Sequence, residues 1–406
     1  MGLIMKEKRA VSREVAKRYH SARKKERGRI LDEFIQIVGY TRCYASYILR
    51  NWGRKIILRA KGGGRIILLG DERKKIKRQK ERVYNQGVLT ALRKIWYICD
   101  CICGKRLAPY LHRIVPVLER HEEIVLDYET RERLLKISAS TIDRLLASER
   151  KKLEVKGRAR TKPGTLLKNQ IPVRTFADWN EKRPGFVEID LVSHDGGSAR
   201  GDYIQTLDVT DVFTGWTETK AVRNKAQIWT FQALEEIRRK VPFQMLGIDS
   251  DNGSEFINAH LIKYCEEQKI TFTRSRPYKK NDNCFVEQKN YSVVRRTVGY
   301  SRYDTGEELQ VLNQLYESLR LYTNFFQPVM KLVEKERTGS KVKKRYDKAK
   351  TPHERLLRFS STPLEVKRDL NEEYETWNPA HLKRIITKLQ NKLLGLTEKK
   401  KFYTYG

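Results

Sequence analysis

Between residues 185 and 298 the apolar period of the chain switches repeatedly between two and 3.6, and this switching narrows the possible folds more than any other feature of the 406 residues. Phe186-Val-Glu-Ile-Asp-Leu-Val192 alternates, which places Glu188 and Asp190 on one face and Val187, Ile189 and Leu191 on the other. His194-Asp-Gly-Gly-Ser198 is turn chemistry, and residues 203–209 and 216–222 read as two further strands in an antiparallel meander. Residues 225–240 carry Ile228, Phe231, Leu234 and Ile237 at helical steps. A short buried strand is predicted over 244–248, a helix over 254–268, a strand over 270–273 and a helix over 283–298. The order βββαβαβα predicts an α/β domain with a mixed sheet.

Charge sets the flanks apart from this block. The chain holds 84 Lys and Arg against 50 Asp and Glu, a net charge of +34. Residues 1–180 hold 44 basic and 19 acidic side chains, residues 181–330 hold 20 and 21, and residues 331–406 hold 20 and 10. A near-neutral centre between basic arms points to a polyanion partner, because every neutralised phosphate releases condensed counterions. No apolar run approaches the ~18 residues of a spanning helix, and the N-terminus shows no secretory leader, so a cytoplasmic, nucleoid-associated protein with no membrane partner is expected. The six cysteines lack the Cys-x2-Cys spacing of a zinc site, and disulfides are not expected in such a chain.

The basic arms read as helical. Leu31, Phe34, Ile35 and Val38 lie on one helical face, Gly39 breaks the run, and Thr41 is an N-cap before a second helix over 42–52. This is a helix-turn-helix outline, in which Arg42, Tyr44, Tyr47 and Arg50 are candidate DNA contacts. A second outline spans 131–146, turning at Ser138-Ala-Ser140, with Arg144 as its candidate contact. Between the two, residues 61–64 read as a flexible basic link and 71–82 as a charged helix. The expected domains are a helix-turn-helix domain over 1–60, a second helical domain over 61–150, a basic linker over 151–180, a core over 181–330 and a basic C-terminal domain over 331–406, with helices starting at Thr351-Pro352 and over 382–396.

Three carboxylates of the central block have the means for phosphodiester chemistry. Asp190 lies in the first strand, Asp251 opens the Asp-Asn-Gly turn after the fourth, and Glu287 lies on the last helix, 35 residues separating it from Asp251. Cutting or joining DNA is served by two hard cations roughly 3.5–4 Å apart that hold the attacking and leaving oxygens. Such cations take carboxylate oxygen. Asp249 lies two residues before Asp251, on the same face if the strand persists, so spacing alone leaves both open.

Glu188-Ile-Asp190, Ser250-Asp-Asn-Gly-Ser-Glu-Phe256 and Asn281-Asp-Asn-Cys-Phe-Val-Glu-Gln-Lys-Asn290 resemble the catalytic core of bacterial insertion-sequence transposases of the retroviral-integrase (DDE) type. Tyr300-Ser-Arg-Tyr303 and Asn324-Phe-Phe-Gln-Pro328 resemble the stretch C-terminal to that core in the same transposases. The resemblance implies a ribonuclease H-like fold, two Mg²⁺ or Mn²⁺ ions, and Asp190, Asp251 and Glu287 as catalytic metal ligands, and it favours Asp251 over Asp249. It implies a homo-oligomer on double-stranded DNA, with element ends and target as substrates. Many relatives carry a Lys two turns after the Glu, where this chain has Val294; Lys289 or Arg295 is then the candidate contact to terminal phosphates, with Arg274, Lys279 and Lys280 before the helix. A non-catalytic regulator derived from an element and a nuclease of the same fold are the competing functions.

Overall fold

The computed structural model describes residues 3–60, 63–69, 83–152, 173–174, 182–251, 253, 255–256, 258–275 and 283–404. The chain divides into two compact units, Met1–Arg82 and Val83–Gly406.

In the first unit α1 (Met5–Ser21), α2 (Lys24–Val38) and α3 (Arg42–Asn51) enclose a small core of Ala16, Tyr19, Ile30, Leu31, Phe34, Val38, Ala45 and Leu49. Gly39 ends α2 at φ 68°, a left-handed cap that its lack of a Cβ permits, and its N–H donates to the Ile35 carbonyl. Thr41 holds the N-cap position of α3 without bonding through its side chain. The 42–52 helix thus turns Ala45, Ile48 and Leu49 inward and leaves Tyr44 and Tyr47 outside. The expected link at 61–64 is corrected. Arg54–Ala60 (β1) and Gly63–Leu69 (β2) pair antiparallel, Ala60 opposite Gly63, since two β-branched Ile-Ile-Leu runs favour strand over link. The charged helix expected over 71–82 lies outside the described residues.

The second unit opens with α4 (Gln86–Ile98), α5 (Gly104–Arg120), α6 (Tyr128–Leu135), α7 (Ala139–Leu145) and α8 (Ala147–Lys151). Asn85, Asp127 and Ser138 cap α4, α6 and α7 by accepting from the backbone N–H three residues on. A Cβ on Gly104 would lie 2.1 Å from the Ala139 carbonyl oxygen, so only glycine lets the start of α5 meet α7.

The sheet comprises β3 (Val173–Arg174), β4 (Phe186–Ser193), β5 (Gln205–Asp211), β6 (Thr217–Val222), β7 (Gly247–Ser250) and β8 (Thr271–Ser275), in the order β3-β8-β7-β4-β5-β6. Strands β4, β5 and β6 form the expected antiparallel meander, while β7 and β8 run parallel to β4. Helices α9 (Gln227–Lys240) and α10 (Ala259–Glu267) cover one face through Val187, Ile189, Leu207, Val209, Leu234 and Leu261. This is the ribonuclease H-like mixed α/β arrangement that the resemblance implies. Ile228 departs from the expected helix face and is 60% exposed; Thr230 and Ala233 are buried with Leu234 and Ile237 instead. The helix expected over 254–268 begins only at Ala259, after Asn258 caps it.

The other face receives α11 (Cys284–Lys289), a π-helical turn Asn290–Arg295, α12 (Arg296–Val298) and α13 (Gly306–Phe326). Two asparagines of α13 occupy the outer edge of β6: Asn313 accepts from Ala221 N at 3.0 Å and donates to its carbonyl at 3.1 Å. Asn324 makes the same pair with Thr217 at 2.9 and 2.9 Å, which satisfies an edge that would otherwise recruit another strand. The basic stretch after Met330 is a hairpin of β9 (Leu332–Thr338) and β10 (Lys341–Tyr346), with every β10 residue exposed. Helices α14 (Pro352–Arg358), α15 (Leu364–Thr376) and α16 (Pro379–Thr404) complete the chain, Thr351 capping α14.

One apolar cluster joins α4–α7 to α13, α14, α15 and α16. Tyr322 donates to the Ile98 carbonyl, Arg106 to the Pro328 carbonyl at 2.6 Å, and Lys383 pairs with Asp100 at 2.7 Å. These contacts and the apolar cluster hold α4–α7 and α13–α16 within the one compact unit Val83–Gly406, because the flanking helices complete a core that the sheet leaves open on this side.

Gly104→Ala is expected to destabilise this unit by about 2–3 kcal/mol, since backbone has to move to admit the methyl group; thermal unfolding reads it. A second expectation concerns acid. His353 is buried between Phe325 and Tyr374, stacked on the latter at 4.9 Å, and burial lowers its pKa to about 3. The unfolded state takes up a proton below about pH 6.5 and the folded state does not, so this contribution is present above that pH and is lost as the pH falls toward the folded value. Urea unfolding of the wild type between pH 6 and 4 is expected to lose about 1.4 kcal/mol per pH unit more than His353→Phe, which keeps the stacked ring.

Candidate active site

Strand β4 runs in register with β7, Phe186 beside Gly247 and Ile189 beside Ser250. The next residues of each strand line, Asp190 and Asp251, therefore stand side by side where β7 ends. Across the other flank of β4, Asp190 pairs directly with Asp208 of β5. Three acids thus form a row across three adjacent strand lines.

Their environments differ. Asp208 is fully buried, and burial raises its carboxyl to about 7 against the opposing pull of Lys289. Lys289, itself buried, is lowered to about 8, with Asp208 opposing that shift. This acid therefore has its own cation. Asp190 is pushed well above the carboxylate range by burial first and by the charge of Asp251 second. Leu191 N donates to Asp190 Oδ1 at 2.8 Å and Asn290 Nδ2 to Oδ2 at 2.6 Å, both favouring the charged form.

The overlying helix α11 is fastened to the same strand. Glu188, on the Asp190 face of β4 and fully buried, accepts from Phe285 N and Val286 N at 2.8 Å each. These are first-turn N–H groups, which have no partner inside a helix and carry the positive end of its dipole. Burial pushes the Glu188 carboxyl well up, the two N–H groups oppose that, and the charges of Asp249 and Glu287 add to it. Asn290, at the end of α11, holds Asp190. Glu287 lies three residues before Asn290, on the same side of the helix, and its side chain is exposed. The helix then widens into the π turn, a departure from α geometry that often marks functional sites.

Asp249 and Asp251 separate by geometry. Strand β7 ends at Ser250, and Asp249 is fully buried inside it. Thr273 Oγ1 donates to Asp249 Oδ1; with its amide turned so that nitrogen meets acceptor and oxygen meets donor, Asn283 donates to Oδ2 at 2.9 Å and accepts from Asp251 N at 3.1 Å. Asp251 is partly exposed, and its Oδ1 accepts from Gly253 N at 2.8 Å in an Asx turn. Asp249 serves the fold, and Asp251 opens the loop.

The chemistry of the donors suits a hard divalent cation. Asp190 and Asp251 concentrate like charge that such an ion relieves, and both offer carboxylate oxygen. Among the described residues no three His, Cys, Asp or Glu side chains gather closely enough to hold an ion. The structure brings Asp190 and Asp251 together and sets Glu287 on the neighbouring helix.

The candidate DNA contacts fall into three groups. Arg42, Tyr44, Tyr47 and Arg50 are exposed on α3, with Arg42 paired to Asp32, and Arg144 is exposed on α7. Arg274, Lys289 and Arg295 are corrected as surface contacts. Arg274 is buried in β8, and Lys289 is buried against Asp208. Arg295 donates to the Ser193 carbonyl at 2.7 Å and lies 4.8 Å from the Tyr300 ring. Lys279 and Lys280 lie outside the described residues. Sequence reasoning misses three contributors: the Glu188 clamp, the Asp208–Lys289 pair and Asn290. Alternation does place Glu188 beside Asp190, but nothing local says that a helix N-terminus lands on it.

The family model described as "Integrase core domain" matches residues 180–280. The chain is 40% identical over 332 residues to "Uncharacterized protein y4rM" of Sinorhizobium fredii, covering 82% of this chain and 90% of that one. Among solved structures it is similar to the HTLV-2 integrase catalytic core domain in complex with magnesium, at 14% identity and TM-score 0.27, covering 36% of this chain and 90% of that one. The BIV integrase catalytic core domain gives 14% and 0.27, covering 34% and 83%. No described helix is long and apolar enough to cross a membrane. With most of its length shared at that identity, the chain belongs to one family with the Sinorhizobium protein y4rM, and its residues 180–280 match the integrase core domain model.

Proposed function

We propose that the chain is a DDE-type DNA transposase, which binds the ends of a mobile element and carries out DNA cleavage and strand transfer. The observation that carries this reading is the pairing of Asp190 with Asp251 at neighbouring strand ends inside an integrase core domain. Glu287 stands one helical turn from the Asn290 that bonds Asp190. Asp190, Asp251 and Glu287 would hold divalent ions, two Mg²⁺ or Mn²⁺, which stabilise charge on the attacking and leaving oxygens of a phosphodiester.

The chain's own residues do the positioning. Leu191 N and Asn290 each hold one oxygen of Asp190, and Glu188 keeps α11 over β4. Lys289 neutralises Asp208 from within, so the negative charge presented at the sheet end is that of Asp190 and Asp251. In the first reaction water attacks a strand and frees a 3′-OH; in the second that 3′-OH attacks a target phosphodiester and displaces its 3′ oxygen. No protein nucleophile is required. The exposed face of α3 and the basic segments would grip double-stranded DNA, both element ends and target, and joining two ends calls for a homo-oligomer. A cytoplasmic, nucleoid-associated location fits that substrate.

Asp190→Asn, Asp251→Asn and Glu287→Gln are each expected to abolish cutting and joining in vitro, with end binding in a gel-shift assay within about twofold of wild type, since none of them supplies a phosphate contact. Strand transfer retained by any one of them removes that residue from the site. Chelation of divalent ions is expected to stop both reactions and leave binding; cutting with Mg²⁺ but no joining would identify a nuclease. Glu188→Ala behaves differently. It strands two N–H groups, costing about 2–4 kcal/mol, and lowers melting temperature and joining together. Glu188→Gln, which keeps an acceptor oxygen, is expected to recover most of both.

A further inference from the structure

Beside α11, α12 and the start of α5 lies a cavity of about 390 Å³. Lys105 and Arg106 line it from the start of α5, Lys289 and Arg296 from the catalytic helix and its extension, and Lys383 from α16. The facing acids are fewer. Asp100 is shared between Arg296 at 3.1 Å and Lys383 at 2.7 Å, and Asp208 stands behind Lys289. Five cations and one acid, Asp100, line this open-sided space, Lys105 and Arg296 being exposed.

The two cations of α5 are the least compensated. Lys105 makes no ion pair or hydrogen bond among the described residues, and Arg106 gives its Nε–H to the Pro328 carbonyl, a neutral acceptor. Both lie in the first turn of a 17-residue helix that has no acid there, so the positive end of the dipole adds to their repulsion. Arg106 is desolvated and further disfavoured by Arg296. Gathering like charge in a partly buried space is costly unless an anion completes it.

We propose that this cavity is an anion site that takes a backbone phosphate of the bound DNA strand. The assignment to a strand rests on the transposase reading; the anion chemistry rests on the cavity alone. A phosphate oxygen set between Lys105, Arg106 and Arg296 satisfies donors from α5 and from the extension of α11 at once. It thereby ties the helix bearing Glu287 to the presence of DNA.

The test uses the full chain and Lys105→Glu, which puts an acid where the helix dipole favours one and so preserves the fold. Binding of an end-containing duplex is measured against salt, and melting temperature is measured with added inorganic phosphate. The variant is expected to bind DNA about tenfold more weakly at 0.1 M salt, with the slope of log affinity against log salt reduced by about one to two. Phosphate is expected to raise the melting temperature of the wild type and not of the variant. Equal DNA affinity and slope in the two proteins overturns the strand assignment, and with a selective phosphate effect it reassigns the cavity to a small phosphate compound. Equal stabilisation of both by phosphate, or of neither, overturns the anion site. A wild type that binds no DNA defeats the transposase reading, and the phosphate arm still decides the cavity.

Discussion

A buried carboxylate seated on a helix N-terminus organises this molecule. Glu188 gives up water to accept two N–H groups of α11, and a hydrogen bond in a poorly solvated interior is worth more there than at a surface. The helix has six residues, too few to hold its own shape, and continues as a π turn. Its place is therefore set from below. Glu188 holds its first turn, Asp208 faces Lys289 near its end, and Asp190 receives Asn290 one residue further. Three acids from two adjacent strands fix three successive points of one short element, and Glu287 rides on that element.

The same polar face explains how a basic chain tolerates a cluster of buried acids. The acids inside the sheet have internal donors or cations: Glu188 the helix N–H groups, Asp208 Lys289, and Glu218 both Trp216 at 2.7 Å and Arg320 at 2.9 Å. Asp190 and Asp251, at the sheet end, form the pair that meets solvent. Around it the flanking helices are packed into the core. The bonds Tyr322–Ile98, Arg106–Pro328 and Lys383–Asp100 tie α4, α5 and the loop between them to residues more than two hundred positions away. Any motion of α4–α7 relative to the sheet has to break these contacts together with the apolar cluster beneath them.

Much of this was legible from period and punctuation. The alternation of 186–192, the meander and the helix start at Thr351-Pro352 are local signals, and local structure obeyed them. The failures share a cause. Ile228 sits at helical spacing but faces solvent, because the groove that α9 enters admits Thr230 and Ala233 instead. Lys289 and Arg295 look like surface cations beside a catalytic Glu, yet tertiary packing gives them Asp208 and the Ser193 carbonyl. The hairpin of β1 and β2 was hidden by the glycines that open β2, which read as a link. Spacing showed which carboxylates could cooperate; only the fold could show which cations were already engaged.

The interval of 35 residues between Asp251 and Glu287 has a structural meaning in this light. The chain leaves the end of β7, returns along α10 on one face of the sheet, runs forward again as β8, and crosses to the opposite face to begin α11. A parallel crossover needs a dozen or more residues. Asp251 and Glu287 thus come from opposite ends of one complete crossover, and Asn283 closes the circuit by bonding both Asp249 and the Asp251 backbone as α11 starts. That closure ties the start of α11 to the end of β7.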